Sequence, residues 1–197
     1  MPSKSKAVFI IRKDEFIKSN ESLIIFESMS FEILPATAKD AAELNVLVNS
    51  AYRGDSSRQG WTTEADLLDG TRTDAAAIEE IINKPDYTIL KYVEAGKILG
   101  CVELHNENGK LYLGMLTVRP HLQGKGIGKD LLKAAEAVAE KQKCKSIFMT
   151  VISVRKELID WYVRHGYRDT GERKPFAFND PRFGQPKKQL EFMVLEK

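Results

Sequence analysis

No run of apolar residues in this chain approaches the roughly 18 to 20 that a bilayer-spanning helix needs. The first 30 residues hold two short apolar clusters, 8–11 and 23–26, but charged residues separate them, so no uninterrupted secretory core is expected. Cysteine is scarce. Cys101 and Cys144 each lie in or beside an apolar run, which reads as small buried thiols rather than a disulfide framework or a nucleophile, and fits a reducing compartment. His105, His121 and His165 have neither companion cysteines nor i,i+4 spacing, so no metal site is expected. An excess of either charge is also missing: 30 Lys plus Arg against 28 Asp plus Glu leaves +2, too little to mark a nucleic-acid binder. The chain has no internal repeat and no low-complexity tract. A soluble, cytoplasmic protein with no membrane or nucleic-acid partner is expected. Its 197 residues fit one domain able to bury about 70% of its unfolded surface.

What the chain does have is the stretch LGMLTVRPHLQGKGIGKDLL, residues 113–132. A hydrophobic strand passes through Arg119-Pro120 into Gln123-Gly124-Lys125-Gly126-Ile127-Gly128, and a helix follows at once. Glycine lets a backbone approach a ligand closely, and the first N–H groups of a helix have no intrahelical acceptor, so this order suits a phosphate group. Two common nucleotide motifs fail on spacing. A P-loop ending at Gly128-Lys129 would put Gln123 where its first glycine belongs and Asp130 where its hydroxyl belongs. A dinucleotide fingerprint from Gly124 would need a third glycine where Lys129 stands.

Around that stretch the periodicities predict a strand at 31–34 and a helix after Thr37 with Ala41, Leu44, Leu47 and Val48 on one side. A long loop over 51–73 with aromatic anchors and a helical turn near 64–68 comes next, then a helix over 74–83. Three strands follow, 87–94, 98–105 and 110–118, joined by tight turns at Ala95-Gly96 and Asn108-Gly109. After the glycine turn come an amphipathic helix, a near-continuous apolar strand at 146–152 that suits a central, parallel position, and a helix over 157–164 stopped at Gly166. A loop over 174–188 and a last strand at 190–195 complete the chain.

The strand end Val118-Arg119-Pro120 with Gln123, Gly126 and Gly128 resembles motif A of the GNAT superfamily of N-acetyltransferases. Trp161-Tyr162-Val163-Arg164-His165-Gly166-Tyr167 is similar to that family's motif B, with Trp161 standing where an aliphatic residue is usual. The element order over 31–197 agrees. The resemblance implies a mixed α/β fold: a mostly antiparallel sheet with one splayed parallel pair, flanked by helices. Residues 1–30 would be an extension of open role.

The resemblance further implies acetyl-CoA as co-substrate, without a metal, and direct transfer to a primary amine, of a small molecule in the first instance. A protein or peptide acceptor and a non-catalytic CoA-binding module are the alternatives, and a homodimer is left open. Backbone amides of Gln123, Gly124, Lys125, Gly126, Ile127, Gly128 and Lys129 would hold the diphosphate, with Lys125 or Lys129 adding charge or simply facing solvent. Leu116 and Val118 would pair with the pantetheine arm. Tyr162 would give the leaving thiolate its proton, its alternative being a packed ring. Glu103 is the carboxylate candidate for general base, with Tyr112 ordering a water; a sheet-surface carboxylate is the plainer reading. Arg155 stands where many relatives carry Asn. Trp61, Glu64, Arg72 and Phe176 would frame the acceptor pocket, each of them equally readable as a loop anchor.

Overall fold

The computed structural model describes residues 31–176 and 183–197; the N-terminal extension and residues 177–182 of the expected 174–188 loop lie outside them. In chain order the elements are β1 (Phe31–Pro35), α1 (Ala41–Tyr52), the short α2 (Gly54–Ser57), β2 (Leu68–Asp69), α3 (Ala75–Asn83), β3 (Tyr87–Glu94), β4 (Lys97–Glu107), β5 (Lys110–Val118), α4 (Ile127–Lys141), β6 (Ile147–Ile152), α5 (Lys156–Arg164), β7 (Arg168–Pro175), β8 (Gln185–Pro186) and β9 (Glu191–Glu196). Seven strands make one sheet in the order β1-β3-β4-β5-β6-β9-β7, and β2 pairs with β8. Within the large sheet only β5 and β6 run parallel.

Local sequence accounts for most of these boundaries. Asp74 caps α3 by accepting the Ala77 N–H at 2.8 Å. Both hairpin turns place two successive residues at positive φ, Ala95 (48°) with Gly96 (72°) and Asn108 (54°) with Gly109 (83°), the geometry whose twist matches paired strands. Asn108-Gly109 is the expected pair for such a turn; Ala95 holds its place with a less suitable side chain.

The sheet is covered on both faces. On one, α4 sets Ile127, Leu131, Leu132, Ala135 and Val138 against Val102, Leu104, Leu111 and Leu113. On the other, α1 and α3 set Leu44, Leu47, Val48 and Ile78 against Ile89, Ile98 and Cys101. Each side chain faces its core because alternate strand residues point to opposite faces.

That alternation slips in β4, where Tyr92 pairs with Gly100 but Val93 with Ile98, and again between β4 and β5. Cys101 pairs with Thr117 and Glu103 with Gly114, so Val102 faces two residues of β5, Met115 and Leu116. Met115 takes up the extra residue at φ 49°. Before the bulge Leu111 and Leu113 belong to the α4 core; at the bulge Met115 joins the α1 and α3 core; beyond it Leu116 and Val118 pack back toward α4. The strand bends where the bulge sits, and pairing with β6 is confined to Leu111 opposite Ile147 and Tyr112 opposite Phe148. Past those pairs the parallel strands diverge and leave a wedge.

Four elements had no counterpart in the sequence reading: the short α2, β2 and β8, which fall in stretches expected as loops, and the edge strand β7. β7 pairs with β9 at the sheet's edge, yet nearly every residue in it is exposed, so there was no apolar alternation to read. Among the described residues no helix is long and apolar enough to cross a membrane.

Close packing of α4 on β4 rests on Gly100. A Cβ there would lie 2.8 Å from the Thr117 carbonyl oxygen and 3.0 Å from Ile127 Cγ2. Gly100→Ala is therefore expected to lower the unfolding free energy by about 1 to 3 kcal/mol, read as a lower urea midpoint. An unchanged midpoint would mean that β5 gives way freely.

Candidate active site

The glycine turn is an open cradle. Gly124 and Gly126 adopt φ of 83° and 94°, and a Cβ on either would meet no atom within 4 Å. α4 begins immediately, with its first N–H groups unpaired inside the helix and the Asp130 N–H the first to close on Gly126 (3.0 Å). Lys125 and Lys129 are exposed on either side of that start.

Gln123 has a different task from its neighbours. Its N–H is taken by the Pro120 carbonyl at 3.3 Å. Its side chain accepts the Trp61 N–H (2.8 Å) and donates to Thr62 Oγ1 (2.8 Å) and to the Val118 carbonyl (3.2 Å). It therefore latches the 53–73 loop to the strand end, and the free amides of the cradle begin at Gly124.

A cavity of about 250 Å³ opens beneath the cradle between Trp61 and Thr62, the end of β5 at Leu116 and Val118, and the α5 residues Trp161, Tyr162 and His165. Its wall is aromatic: Trp161 tilts against Trp61 at 6.1 Å and against His165 at 4.2 Å between ring centres. Gly128 sits beside that ring: a Cβ there would be in van der Waals contact with Trp161 at 3.4 Å.

A second cavity of about 260 Å³ fills the wedge between β5 and β6. It is lined by Gly114, Thr150 and Tyr112 and closed by Glu64, Arg72 and Phe176. The two cavities share Tyr52, Leu116, Leu158 and Tyr162. Of the four residues expected to frame an acceptor pocket, Glu64, Arg72 and Phe176 thus meet in the wedge, whereas Trp61 lines the other cavity. Glu103 lines neither: it lies on the α1 and α3 face, 3.6 Å from His105 Nδ1, where the rings of Tyr87 and Tyr112 flank that histidine.

Tyr162 stands at the junction. Burial raises its pKa well above that of a free phenol, and among the described residues none hydrogen-bonds its hydroxyl. Tyr52 stands opposite and was missed as a site residue. Its hydroxyl donates to the Leu116 carbonyl at 2.7 Å, and burial lifts its pKa to about 12. The available signal was a tyrosine closing the apolar face of α1, since a buried phenol needs a partner.

A buried charge network fixes the loop that closes both cavities. Glu64 pairs with Arg53 through one oxygen and faces Arg155 through the other at 3.8 Å. Arg155, only 4% exposed, also pairs with Glu157 at 2.6 Å and donates to the carbonyls of Thr62 (3.3 Å) and Trp61 (3.2 Å). The residue that departs from the GNAT pattern is thus the loop's anchor. Among the described residues no group of His, Cys, Asp and Glu is arranged to hold a metal ion.

Residues 55–180 match the acetyltransferase (GNAT) domain family. A probable spermine N(1)-acetyltransferase from Bacillus subtilis subsp. natto is 38% identical over 68 residues, 34% of this chain and 45% of that protein. The match therefore spans less than half the length of that relative. Among solved structures, an N-acetyltransferase from Staphylococcus aureus Mu50 superposes with a TM-score of 0.64 at 17% identity, covering 84% of this chain and 96% of the other. The PaiA N-acetyltransferase from Thermoplasma acidophilum, in complex with coenzyme A, gives 0.61 at 19% identity, with 86% and 99% covered. At such identities the likeness establishes the fold: a mostly antiparallel sheet with one parallel pair, flanked by helices.

Arg155→Ala would leave Glu64 with one buried partner fewer and free two loop carbonyls. It is expected to cost about 3 kcal/mol of stability in urea unfolding. A loss below about 1 kcal/mol would assign the loop's anchorage to Gln123 instead.

Proposed function

The chain belongs to the GNAT family of acetyltransferases, and from that premise we propose that it transfers an acetyl group from acetyl-CoA directly to the primary amine of a small molecule. The observation that carries this reading is the junction at Tyr162: one cavity begins under an open amide cradle, the other lies in the strand wedge, and both end at the same phenol. The name of the curated relative, a spermine acetyltransferase, supports a small amine as acceptor.

The residues fit the donor. Amides from Gly124 to Lys129 would receive the diphosphate, where left-handed glycines leave room and the start of α4 favours negative charge. The pantetheine arm would lie along Leu116 and Val118. Their carbonyls each give one lone pair to Tyr52 or Gln123 and keep a second for an incoming amide. Acetyl-CoA supplies an activated thioester, whose carbon–sulfur bond breaks as the amine nitrogen bonds the acetyl carbon.

Tyr162 holds the proton that the departing sulfur needs, and its raised pKa keeps that proton in place at neutral and mildly alkaline pH. Because Glu103 lines neither cavity, the amine proton would leave by relay through water in the wedge, beside the paired hydroxyls of Tyr112 and Thr150 (3.3 Å), to buffer in bulk solvent. Cys101 takes no part: it is fully buried, and burial pushes its thiol up to about 12.

Purified protein is expected to bind acetyl-CoA in calorimetry and to release CoA thiol only when an amine is added. Tyr162→Phe should lower kcat by about 100-fold with acetyl-CoA affinity kept. A CoA-binding module would instead show binding with no amine-dependent release in either form. With the phenol's pKa raised, kcat should show no alkaline fall below about pH 9 owing to Tyr162. An alkaline limb below that pH which disappears in Tyr162→Phe would assign the limb to this phenol and overturn its raised pKa; a limb that persists in the variant belongs to another group.

A further inference from the structure

The wedge cavity has an unbalanced charge. Its lining includes three ionised side chains, Glu64, Arg72 and Arg155. Glu64 is held by Arg53 and faces Arg155, and Arg155 is paired with the half-exposed Glu157, so these four form a charge-balanced set. Both Glu64 oxygens face arginines, which leaves no unengaged carboxylate in the cavity wall to attract a second ammonium group.

Arg72 is different. Its main chain is fixed by the bond from its N–H to Asn49 Oδ1 at 2.7 Å. Its guanidinium carbon lies 5.8 Å from the centre of the Tyr52 ring, at the junction of the two cavities. No carboxylate among the described residues lies within ion-pair distance of it. Its positive charge is felt by the phenols of both Tyr52 and Tyr112, where it opposes the upward shift that burial imposes. The wedge thus combines a guanidinium with no carboxylate partner among the described residues, hydroxyl groups on Tyr112 and Thr150, and an apolar end at Phe176 and Phe192, whose rings lie 4.8 Å apart.

We infer that the acceptor carries a carboxylate as well as its amine, as an amino acid or a close amino-carboxylate does, and that Arg72 binds the carboxylate. A planar guanidinium receives a carboxylate through two parallel hydrogen bonds, which fixes orientation as well as affinity. With the anion held there, the amine end is left to face the junction and the apolar side chain the phenylalanines. A polycation meets the reverse: positive charge at Arg72 and carboxylates already engaged. The inference rests on the acetyl-transfer reading above.

The test compares a panel of L-amino acids, the amines left by their decarboxylation, and spermidine, by CoA thiol release at saturating acetyl-CoA. The best amino acid is expected to exceed its decarboxylated amine in kcat/KM by about tenfold or more. Arg72→Gln should bring that ratio close to one, Arg72→Lys should restore part of it, and the KM for acetyl-CoA should hold in both. Calorimetric titration of the preferred amino acid into the CoA-loaded protein should show the same dependence on Arg72 without turnover. Preference for spermidine or for the decarboxylated amines, or an equal loss on every acceptor in Arg72→Gln, overturns the inference and leaves acetyl transfer standing. Release with no amine at all overturns both.

Discussion

The extra residue in β5 opposite Val102 is what the rest of the site depends on. Without it, Leu111, Leu113, Met115 and Thr117 would share one face of the sheet, and β5 would run on beside β6. With it, the backbone turns over at Met115, the strand bends, and the last residues of β5 reach the glycine turn on the α4 side. The exposed backbone edge at Leu116 and Val118 lies beyond that irregularity, and the wedge cavity spans it, from Tyr112 and Gly114 to Leu116 and the meeting point at Tyr162. A left-handed φ on a non-glycine residue carries a conformational cost. Burial of the Met115 side chain, 7% exposed, offsets it.

Two side chains then carry that local geometry across the molecule. Gln123 and Arg155 both bind Trp61 and Thr62, Gln123 from the glycine turn through the Trp61 N–H and the Thr62 hydroxyl, Arg155 from the start of α5 through both carbonyls. A loop from the first half of the chain is so drawn over a site built by the second half. Tyr52 adds a third tie, from α1 to the Leu116 carbonyl. Since most of these bonds are buried or partly buried, the loop is fixed as part of the wall that separates and joins the two cavities.

The regular parts of this architecture were legible because their causes are local. The Asn108-Gly109 turn, the Asp74 cap, the apolar face of α4 and the unbroken apolar run of β6 each announce themselves within a few residues. The bulge is harder to see: Leu111, Leu113 and Met115 alternate, the change of phase shows only as the Met115-Leu116 doublet, and methionine gives no warning of a positive φ. The division of labour in the 53–73 loop was hidden for another reason. Trp61 and Glu64 are three positions apart, yet they enter different cavities because partners 62 and 94 residues downstream of Trp61 set the loop's path. For Glu103 the period-two argument was right about its face, opposite Val102 and Leu104; its cross-strand partner Gly114 and nearby Tyr112 line the wedge, but Glu103 itself turns to His105 and is not part of either wall.

The edge strand β7 bears on how the protein keeps to itself. A seven-stranded sheet ends in rows of backbone groups with no neighbour, and such rows invite another strand to dock. Along β7 the chain presents Arg168, Asp169, Glu172, Arg173 and Lys174, closes with Pro175, which has no N–H to offer, and interrupts its own pairing near Gly171. The ion pair between Arg173 and Asp169, at 2.8 Å, lies along that border. The same charges that made this strand unreadable in the sequence act as a guard against edge-to-edge aggregation, at the sheet margin beyond the apolar strands β6 and β9.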